Sequence, residues 1–418
     1  MQAAATLKDA HMEATATVER DLRTGRPYWL RGGEPRVPSA PLAGNLRVDV
    51  AVVGAGVSGA LVTDALLRAG KSVVVLDRRG AVKGSTPAST ALLQFEIDQP
   101  LIHLTRKLGR ERAVRAYWRS ATAVDFLRGR IADLGLRCSF RERQTVYLPG
   151  NVLNVTELKR ETAARAAVGL RSRFIGADEL RALTGIERPG AILSTGAGEL
   201  DPAALVAGVW RSALSRGARI HAPTEVLDIE PGRAHVTLTT ADGHAVRASH
   251  VVFATGYELV KLIKPRGYQV SSTWALTTVP QPGRLWPSRC LIWEAADPYL
   301  YLRTTLDGRV IAGGEDEAFA SEVKRDALLP KKILAIRRKL ARLLPAIDTT
   351  PSFSWAGCFG ASATGLPAIG AIPGAPRCFA VLGYGGNGIT FSAIAAQVIQ
   401  RAILGLPDPD ADLFALRA

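Results

Sequence analysis

The feature that most constrains this chain is the stretch from residue 48 to 77, VDVAVVGAGVSGALVTDALLRAGKSVVVLD. It contains the pattern G-x-G-x-x-G at Gly54, Gly56 and Gly59, and Asp77 follows Gly54 by 23 residues. In this pattern the first glycine permits a tight turn, the second lets a pyrophosphate approach the backbone, and the third lets a helix pack closely on a strand. The acid stands where a carboxylate accepts hydrogen bonds from a ribose.

The residues around the glycines supply the other parts of such a unit. The apolar, β-branched run Val48 to Val53 predicts a buried parallel strand, Ala60 to Arg68 has a helical pattern, and Ser72 to Leu76 predicts a second strand. A helix that starts at the glycines offers free N–H groups and the positive end of its dipole to phosphates. These parts in register predict an adenine-dinucleotide site. The neighbouring residues included in that predicted site are Val57, Ser58 and Arg78.

Composition adds the broad class of the protein. A chain of 418 residues is too long for one simple core and predicts two domains. Its 47% hydrophobic and 22% charged residues are typical of a soluble globular protein. The formal net charge is +15, but the arginines are spread along the whole chain. A generally basic surface is therefore favoured over a nucleic-acid site, and we expect no nucleic-acid partner.

Targeting and metal signals are weak in this sequence. The first residues lack the apolar segment of a signal peptide, and apolar runs elsewhere are shorter than the ~20 residues of a membrane span. We therefore expect a cytoplasmic protein. The four cysteines have no C-x-x-C spacing, and the six histidines show no H-E-x-x-H pattern, so neither a disulfide framework nor a metal site is expected.

The remaining sequence predicts a second region inserted into the dinucleotide-binding one. Residues 1–45 hold a short polar helix and then a Pro- and Gly-rich segment, which indicates a surface arm. The further predicted elements are helices over 101–135 and 157–167, a strand over 140–148, a helix that begins at Pro202, strands over 219–255 and 291–314, and a basic helix over 324–342 that Pro330 interrupts. That basic face is expected to be solvated, with contact to an anionic membrane surface as the alternative. The chain ends in a strand, a glycine-rich turn and an apolar helix, which we expect to complete the first sheet.

Four motifs in this order resemble the FAD-dependent oxidoreductases of the D-amino-acid oxidase superfamily. That group includes glycine and sarcosine oxidases, D-amino-acid dehydrogenases and γ-glutamylputrescine oxidase. The motifs are VVGAGVSG with Asp77, the loop GSTPASTALLQ at 84–94, GELDPAALV followed by EVLDIE and VVFATG, and GLPAIG followed by VLGYGGNGIT. Together they span residues 46–403. The segment GRPYWL, ahead of the first strand, is most similar to the γ-glutamylputrescine oxidase branch.

The resemblance implies an α/β fold and FAD as the cofactor. In that fold a Rossmann-like FAD-binding domain of the glutathione-reductase type carries an inserted α+β substrate domain built on an antiparallel sheet. The expected division is an N-terminal arm over 1–45, a discontinuous FAD-binding domain over 46–100, 195–260 and 350–418, and a substrate domain over 101–194 and 261–349.

The resemblance also assigns roles around the flavin. Five residues of the 84–94 loop would flank the isoalloxazine ring: Ser85, Thr86, Ala88, Ser89 and Thr90. The turn before the last helix would face the pyrimidine edge, with backbone donors from that helix: Gly385, Gly386, Asn387, Gly388, Ile389 and Thr390. A helix N-terminus there stabilises negative charge on the reduced ring. Val226 would make a backbone contact to adenine, and the strand that ends at Thr255 and Gly256 would meet the ligand.

Substrate residues follow from the segment DPYLYLRTTLDGRVIAGGED, which resembles the family's tyrosine-and-arginine strand. By that match Arg303 would clamp a substrate carboxylate, with Tyr301 and Tyr299 nearby, since an arginine fork suits bidentate carboxylate recognition. The alternative for Arg303 is an ordinary exposed strand arginine. Cys358 falls near the place where some sarcosine oxidases attach FAD covalently; its alternative is a small buried core residue.

The predicted function is oxidation of a C–N bond of an amine or amino acid by hydride transfer to flavin N5. The substrate is then deaminated or N-dealkylated, and O2 or an electron carrier takes the electrons. Two alternatives stay open: FAD-dependent oxidation of a 2-hydroxy acid or polyol, and a non-catalytic dinucleotide-binding protein. No acid–base residue is nominated, because alignment and an uncharged amine matter more for this chemistry than a dedicated base.

Overall fold

The computed structural model describes residues 16–263 and 267–416. Residues 1–15, where the polar helix is predicted, lie outside the described residues, as do 264–266 and 417–418. Two sheets organise the described chain. No helix in these two ranges is long and apolar enough to cross a membrane.

The first sheet, which we call the parallel sheet, has eight strands among the described residues. Its five central strands run parallel, in the order Cys378–Leu382, Ala245–Phe253, Leu46–Val53, Val73–Leu76 and Arg219–His221. Antiparallel strands extend it at Ala368–Ala371, Val236–Thr240 and Val226–Pro231. Four of the central strands, all except Arg219–His221, contain a buried apolar run, as expected where helices or loops cover both faces of a parallel sheet.

The second sheet, which we call the large sheet, has ten strands in the described ranges. Their order is Arg23–Gly25, Pro351–Ala361, Gln269–Thr278, Val310–Glu317, Leu300–Thr304, Leu291–Glu294, Arg141–Leu148, Gly190–Glu199 and Leu92–Leu93, with Ser172–Gly176 paired to Gly190–Glu199. All pairs are antiparallel except Leu291–Glu294 with Arg141–Leu148. One face packs on the helix Glu322–Leu343, where Trp274 and Ile336 are fully buried. The opposite face of the large sheet is not covered by this helix and lines the central cavity described below.

The α-helices lie between the strands in the order Val57–Arg68, Leu101–Leu108, Arg110–Asp133, Val155–Ala166, Ala177–Thr184, Pro202–Ser215, Glu322–Leu343, Gly388–Ile403 and Ala411–Phe414. The helices Val57–Arg68 and Gly388–Ile403 pack together against the parallel sheet, and both are apolar almost all round. Their N-termini, one near each end of the chain, consequently point into the same region of the molecule.

Several predicted boundaries differ from the structure. The single helix predicted over 101–135 is two helices, because Gly109 breaks it with φ at +82°. Pro330 does not interrupt the basic helix, which continues from Glu322 to Leu343. The strands Gly190–Glu199, Gln269–Thr278 and Pro351–Ala361 are absent from the predicted elements, since glycine, serine and alanine weaken their strand signal.

Sheet membership also bears on the predicted domains. The strand Pro351–Ala361 belongs to the large sheet, although the prediction assigned 350–418 to the FAD-binding domain. The strand Gly190–Glu199 lies wholly in the large sheet, although the predicted boundary cuts it at residue 195. The domain boundaries as a whole stay a prediction.

Candidate active site

The glycine turn is built so tightly that side chains are excluded at two of its three glycines. Gly54 has φ at +110°, and a Cβ there would lie 2.4 Å from the carbonyl oxygen of Ala254. A Cβ on Gly59 would lie 1.9 Å from the carbonyl oxygen of Gly54. Gly56 is different, because its nearest neighbour would be the Thr86 hydroxyl at 3.4 Å. The open side of Gly56 therefore leaves room for a ligand to approach the backbone.

The helix Val57–Arg68 starts at this turn without a side-chain cap. Its first N–H, on Val57, donates to the hydroxyl of Thr86 over 3.2 Å. The hydroxyl of Ser58 lies 2.7 Å from that of Tyr384 and 2.8 Å from that of Ser392. The helix thus presents backbone N–H groups, and the positive end of its dipole, to whatever lies beside Gly56.

Asp77 ends the second strand as predicted and also organises the turn. One carboxylate oxygen accepts from Ala55 N–H at 2.7 Å, and the other accepts from Arg79 and Gly80 N–H at 2.8 and 2.6 Å. An ionised carboxylate has about four acceptor positions, so capacity remains for a ribose hydroxyl. The following Arg78 pairs with Glu225 at 2.7 Å.

A first cavity, the glycine-turn cavity, runs along these groups. Its lining contains twelve of the predicted cofactor residues: Gly54, Gly56, Val57, Ser58, Asp77, Arg78, Ser85, Thr86, Val226, Thr255, Gly256 and Gly388. Gly59 is not among the lining residues, because it lies in the first turn of the helix and packs against the backbone of Gly54. Sequence reasoning missed Glu258, which also lines the cavity and accepts from the guanidinium groups of Arg78 and Arg79 at 3.3 and 2.7 Å. No local motif marks Glu258, and the only signal is its position shortly after the strand Ala245–Phe253.

The carbonyl groups of residues 88–91 are held by three buried side chains, which we call the loop clamp. Trp355 Nε1 donates to Ala88 O at 2.9 Å, and Trp29 Nε1 donates to Ser89 O at 2.7 Å. Arg303 donates to Thr90 O and Ala91 O at 3.2 and 2.9 Å. Because consecutive carbonyls are fixed from three separate elements, the loop has one defined position beside the central space.

Arg303 belongs to this clamp and is not among the residues that line the central cavity described below, while its role in holding a substrate carboxylate stays a prediction. Its guanidinium also donates to the carbonyls of Leu200 and Thr304 and lies 3.5 Å from the carboxylate of Glu199. The side chain is 3% exposed. It stands two residues beyond Tyr301 on the same strand face, but the 84–94 loop covers it.

The second glycine-rich turn precedes the helix Gly388–Ile403. Gly386 N–H donates to the carboxylate of Asp98 at 2.8 Å, and the Asn387 amide donates to Glu96 O at 2.9 Å. A Cβ on Gly385 would lie 2.6 Å from Asp98 Oδ2. Thr390 is buried, with its hydroxyl 3.3 Å from Gln94 O. The turn is therefore tied to the segment that follows the 84–94 loop.

A second cavity of about 440 Å³, the central cavity, lies between the two turns and the open face of the large sheet. Its lining contains the predicted residues Val57, Ser85, Thr86, Ala88, Ser89, Thr90, Gly385, Gly386, Asn387, Gly388, Ile389, Tyr299, Tyr301 and Cys358. Five residues line both cavities: Val57, Ser85, Thr86, Tyr257 and Gly388. The two cavities are therefore adjacent and share part of their walls.

Sequence reasoning missed most of the polar and aromatic lining of the central cavity. Strand register brings Tyr147, Trp293 and Tyr301 side by side, since Trp293 pairs with Tyr147 on one neighbouring strand and with Tyr301 on the other. Asp98 and Asp316 line the same cavity. Burial raises the pKa of Asp316 to about 6; the hydroxyls of Thr273 and Tyr299 oppose that rise, and the negative charges of Asp98 and Asp297 add to it. Desolvation also raises the pKa of Asp98, against the lowering effect of Gly386 N–H.

Cys358 lines the central cavity from the strand Pro351–Ala361. It is 9% exposed, and its thiol lies 3.7 Å from Leu22 O. Burial raises the pKa of the thiol to about 11. Thiolate character, on which nucleophilic attack depends, is therefore disfavoured in this environment.

The chain's own groups fit FAD along the two adjoining cavities. The turn at Gly56 leaves open the approach that a pyrophosphate needs, and a Cβ-free cradle at Gly385 and Gly386 faces the central cavity. The span from Asp77 at one end to Ile389 at the other joins a ribose acceptor to a helix N-terminus. These features suit a long dinucleotide with an anionic middle and a planar ring.

Two relatives match this chain over most of its length and most of their own. Glycine oxidase from Bacillus licheniformis is 23% identical over 378 residues, which cover 86% of this chain and 94% of that protein. Gamma-glutamylputrescine oxidoreductase from Escherichia coli K12 is 23% identical over 388 residues, covering 90% of this chain and 88% of that protein.

Solved structures share the fold. Glycine oxidase from Geobacillus kaustophilus superposes with a TM-score of 0.73 at 20% identity, covering 89% of this chain and 98% of that one. L-proline dehydrogenase from P. horikoshii superposes with a TM-score of 0.76 at 18% identity, covering 89% of this chain and 97% of that one. The mixed α/β fold expected from the sequence is thereby confirmed.

The family itself is shown by a model that matches most of the chain. That model, described as FAD dependent oxidoreductase, matches residues 49–402. The match begins in the first strand of the glycine turn and ends in the last long helix, so it includes both turns and the central cavity between them. The chain therefore belongs to the DAO family of FAD-dependent oxidoreductases, and it is an enzyme that uses FAD.

Proposed function

We propose that this enzyme oxidises a C–N bond of an amine or amino acid by oxidative deamination or N-dealkylation. The observation that carries the proposal is that the two cavities adjoin and share five wall residues, because this puts a space of substrate size next to the place that suits the flavin ring. Relatives named for glycine and for gamma-glutamylputrescine support the same substrate range.

The chemistry balances without a further cofactor. FAD, when bound, accepts two electrons and a proton as a hydride from the carbon beside nitrogen, while the nitrogen loses one proton. Water then hydrolyses the resulting imine to a carbonyl compound and ammonia or an amine. O2 or an electron carrier is the proposed acceptor that restores the oxidised cofactor. The chain's part is to hold substrate and ring in a fixed relation, since alignment supplies much of such a rate enhancement.

The backbone turn at Gly385–Ile389 would help to hold the flavin ring and to stabilise its reduced form. Its N–H groups and the positive end of the helix Gly388–Ile403 would face the pyrimidine edge of the ring. Negative charge that develops there on reduction is then stabilised by groups already in place. The loop clamp would hold Ala88, Ser89 and Thr90, which belong to the 84–94 loop, against the same ring.

Two finer features belong to the same proposal. The parallel strand order around Leu46–Val53, with an antiparallel extension, supports a glutathione-reductase-type FAD-binding domain that carries an inserted substrate domain on the large sheet. Covalent attachment of FAD through Cys358 stays a prediction. It is checked by acid precipitation: flavin that stays with the denatured protein supports a covalent bond, and fully released FAD excludes it.

The experiment that tests the function is an absorbance spectrum of the purified holoenzyme, followed by anaerobic addition of amines, amino acids, 2-hydroxy acids and polyols. Bleaching of the flavin bands by amines or amino acids is the expected result. Bleaching only by hydroxy acids or polyols would replace the C–N reaction by C–O oxidation. Flavin that none of the compounds reduces would contradict a catalytic role in either reaction.

A further inference from the structure

The central cavity has an acidic lining, although the formal net charge of the protein is +15. Its ionisable carboxyl groups are those of Asp98, Glu294, Asp297 and Asp316. Among the described residues, neither lysine nor arginine lines the cavity, and His103 is its one basic side chain. The cavity therefore combines acceptors for a cation with no strong cation of its own in the described part.

Asp316 is the acid most dependent on a ligand. Both of its carboxylate oxygens are buried, and neither has a hydrogen-bond partner within the described part of the chain. The hydroxyls of Tyr299 and Thr273 approach it without completing a bond of normal geometry. A buried carboxylate without partners is costly, and a cation with N–H donors would remove that cost.

A second unpartnered group lines the same space. Gln94 is 7% exposed, and its side-chain oxygen has no hydrogen-bond partner in residues 16–263 and 267–416. It faces the central cavity, so it offers another acceptor to a ligand that carries N–H groups. An acceptor that is buried and unsatisfied at a ligand cavity marks a place for a donor.

Aromatic rings form the wall beside these acceptors. Tyr147 and Trp293 stack with ring centroids 3.7 Å apart, and Tyr299 and Tyr301 lie 5.5 Å apart. All four line the central cavity. Aromatic faces attract ammonium groups and also cover alkyl chains, so the wall suits both the ammonium group and the carbon chain of an organic cation.

We propose that the substrate is a cationic amine with no carboxylate on the carbon that bears the nitrogen, and that Asp316 is the residue that positions it. Arg303, the residue expected to bind a carboxylate, is committed to the loop clamp and Glu199. An amino-acid carboxylate would instead meet the four acids of the cavity. The inference rests on the proposed function and narrows its substrate class.

The first test compares amino acids with the amines formed by removing their carboxyl group: ornithine with 1,4-diaminobutane, lysine with 1,5-diaminopentane, and phenylalanine with phenethylamine. The rate of flavin bleaching is measured anaerobically with the holoenzyme. We expect at least one amine to reduce the flavin ten-fold or more faster than its amino acid. Faster reduction by the amino acids would overturn this inference and leave the proposed function standing. No reduction by any amine, amino acid or N-alkyl derivative would overturn both.

The second test measures binding without catalysis. 1,1-Dimethyl-2-phenylethylamine is an ammonium cation with N–H donors, and it cannot be oxidised to an imine because the carbon that bears its nitrogen has no hydrogen. Its dissociation constant is measured by calorimetry on the holoenzyme. We expect Asp316→Asn to weaken binding ten-fold or more. The matched control is Glu317→Gln, which removes a neighbouring charge that pairs with Lys332 outside the cavity, and it should leave binding unchanged.

Binding to Asp316→Asn as tight as to the wild type would contradict the positioning role. FAD content and the circular dichroism spectrum check that each variant is folded. If Asp316→Asn does not fold, Asp98→Asn tests the same negative charge in the cavity, because the charge of Asp98 acts on Asp316. It should weaken binding of the same cation, and tighter binding would count against the inference.

Discussion

At Gly59 the chain has no room for a methyl group. A Cβ there would lie 1.9 Å from Gly54 O, a backbone atom that cannot rotate away. Gly59→Ala should therefore destabilise the apoprotein, by about 1–3 kcal/mol as for other overpacked sites, and also lower FAD content. Thermal unfolding of the apoprotein and absorbance of the purified protein measure the two effects.

Gly56→Ala is the matched control for that change. Gly56 has φ at −79°, and its added Cβ would have 3.4 Å to the nearest atom. The apoprotein should keep its melting temperature, while FAD binding weakens because the methyl group occupies the pyrophosphate approach. Equal melting temperatures for the two variants would contradict the packing role given to Gly59.

The carboxyl group of Asp316 should make stability depend on pH in a defined direction. Its pKa in the folded chain is raised from 3.8 to about 6 by desolvation and by Asp98 and Asp297, against the hydroxyls of Thr273 and Tyr299. The folded state then holds the proton more tightly than the unfolded state, so ionisation costs stability as pH rises from 4 towards and beyond 6.

Asp316→Asn removes this titration. In the apoprotein without ligand, the melting temperature of the variant relative to the wild type should be higher at pH 8 than at pH 4. Differential scanning calorimetry at both pH values measures it, with Glu317→Gln as the control that keeps Asp316. A difference that is the same at both pH values would mean that the carboxyl group is solvated in the folded state.

At the scale of elements, the loop clamp explains why the short N-terminal 3-10 helix Tyr28–Leu30 and a distant tryptophan matter for a flavin site. Trp29 and Trp355 donate to neighbouring carbonyls from opposite ends of the chain, and Arg303 donates to the next two. A hydrogen bond of this kind contributes about 1 kcal/mol net, and leaving a buried carbonyl unpaired costs at least as much.

Trp29→Phe removes one donor and keeps an aromatic ring. We expect its melting temperature to fall modestly and FAD to dissociate faster, because the loop at Ser89 loses its fixed position. Trp286→Phe is the control, since Trp286 Nε1 also donates to a carbonyl, that of Cys290, at 3.0 Å but on the far face of the large sheet. FAD release followed by fluorescence should distinguish the two, and equal rates would remove the clamp's role in cofactor retention.

Elements were predictable from the sequence where the signal is local. The unit from Val48 to Asp77 follows from residues that are neighbours in the chain, and the structure has it with strands at Leu46–Val53 and Val73–Leu76. The large sheet was not predictable in the same way. Tyr147 meets Trp293 only because two strands about 150 residues apart pair in parallel, and no local pattern fixes that register.

The same reason separates the predicted site residues from the missed ones. The glycines are recognisable by their spacing and the loop at 84–94 by its resemblance to the family. Neither signal marks Asp98 or Asp316, although Asp316 ends the family-like segment 297–316. Arg303 shows the opposite case: its strand is recognisable, but covering by the 84–94 loop decides what the guanidinium contacts. Whether a distant segment buries a side chain depends on the tertiary fold and cannot be predicted from the sequence of the strand alone.

For the whole molecule, the basic exterior and the acidic cavity act on a ligand at different ranges. The formal net charge of +15 repels a cationic substrate during its approach. Salt screens that long-range field, with a Debye length of about 8 Å at physiological ionic strength. The carboxylate of Asp316 acts at contact, where salt has less effect because the group is buried.

The sign of the salt dependence therefore reports the charge of the substrate. For a cationic amine, kcat/KM should rise by about two- to ten-fold as NaCl increases from 10 to 200 mM, since screening relieves the repulsion. Asp316→Asn should lower kcat/KM at every salt concentration but keep the same slope, because the slope comes from the whole protein's charge and not from one cavity group. Steady-state kinetics with the amine that bleaches the flavin fastest measure both lines. A kcat/KM that falls as the salt concentration rises would mean that the protein's charge attracts the substrate. A positively charged protein attracts an anion, so this result would contradict a cationic amine as the substrate.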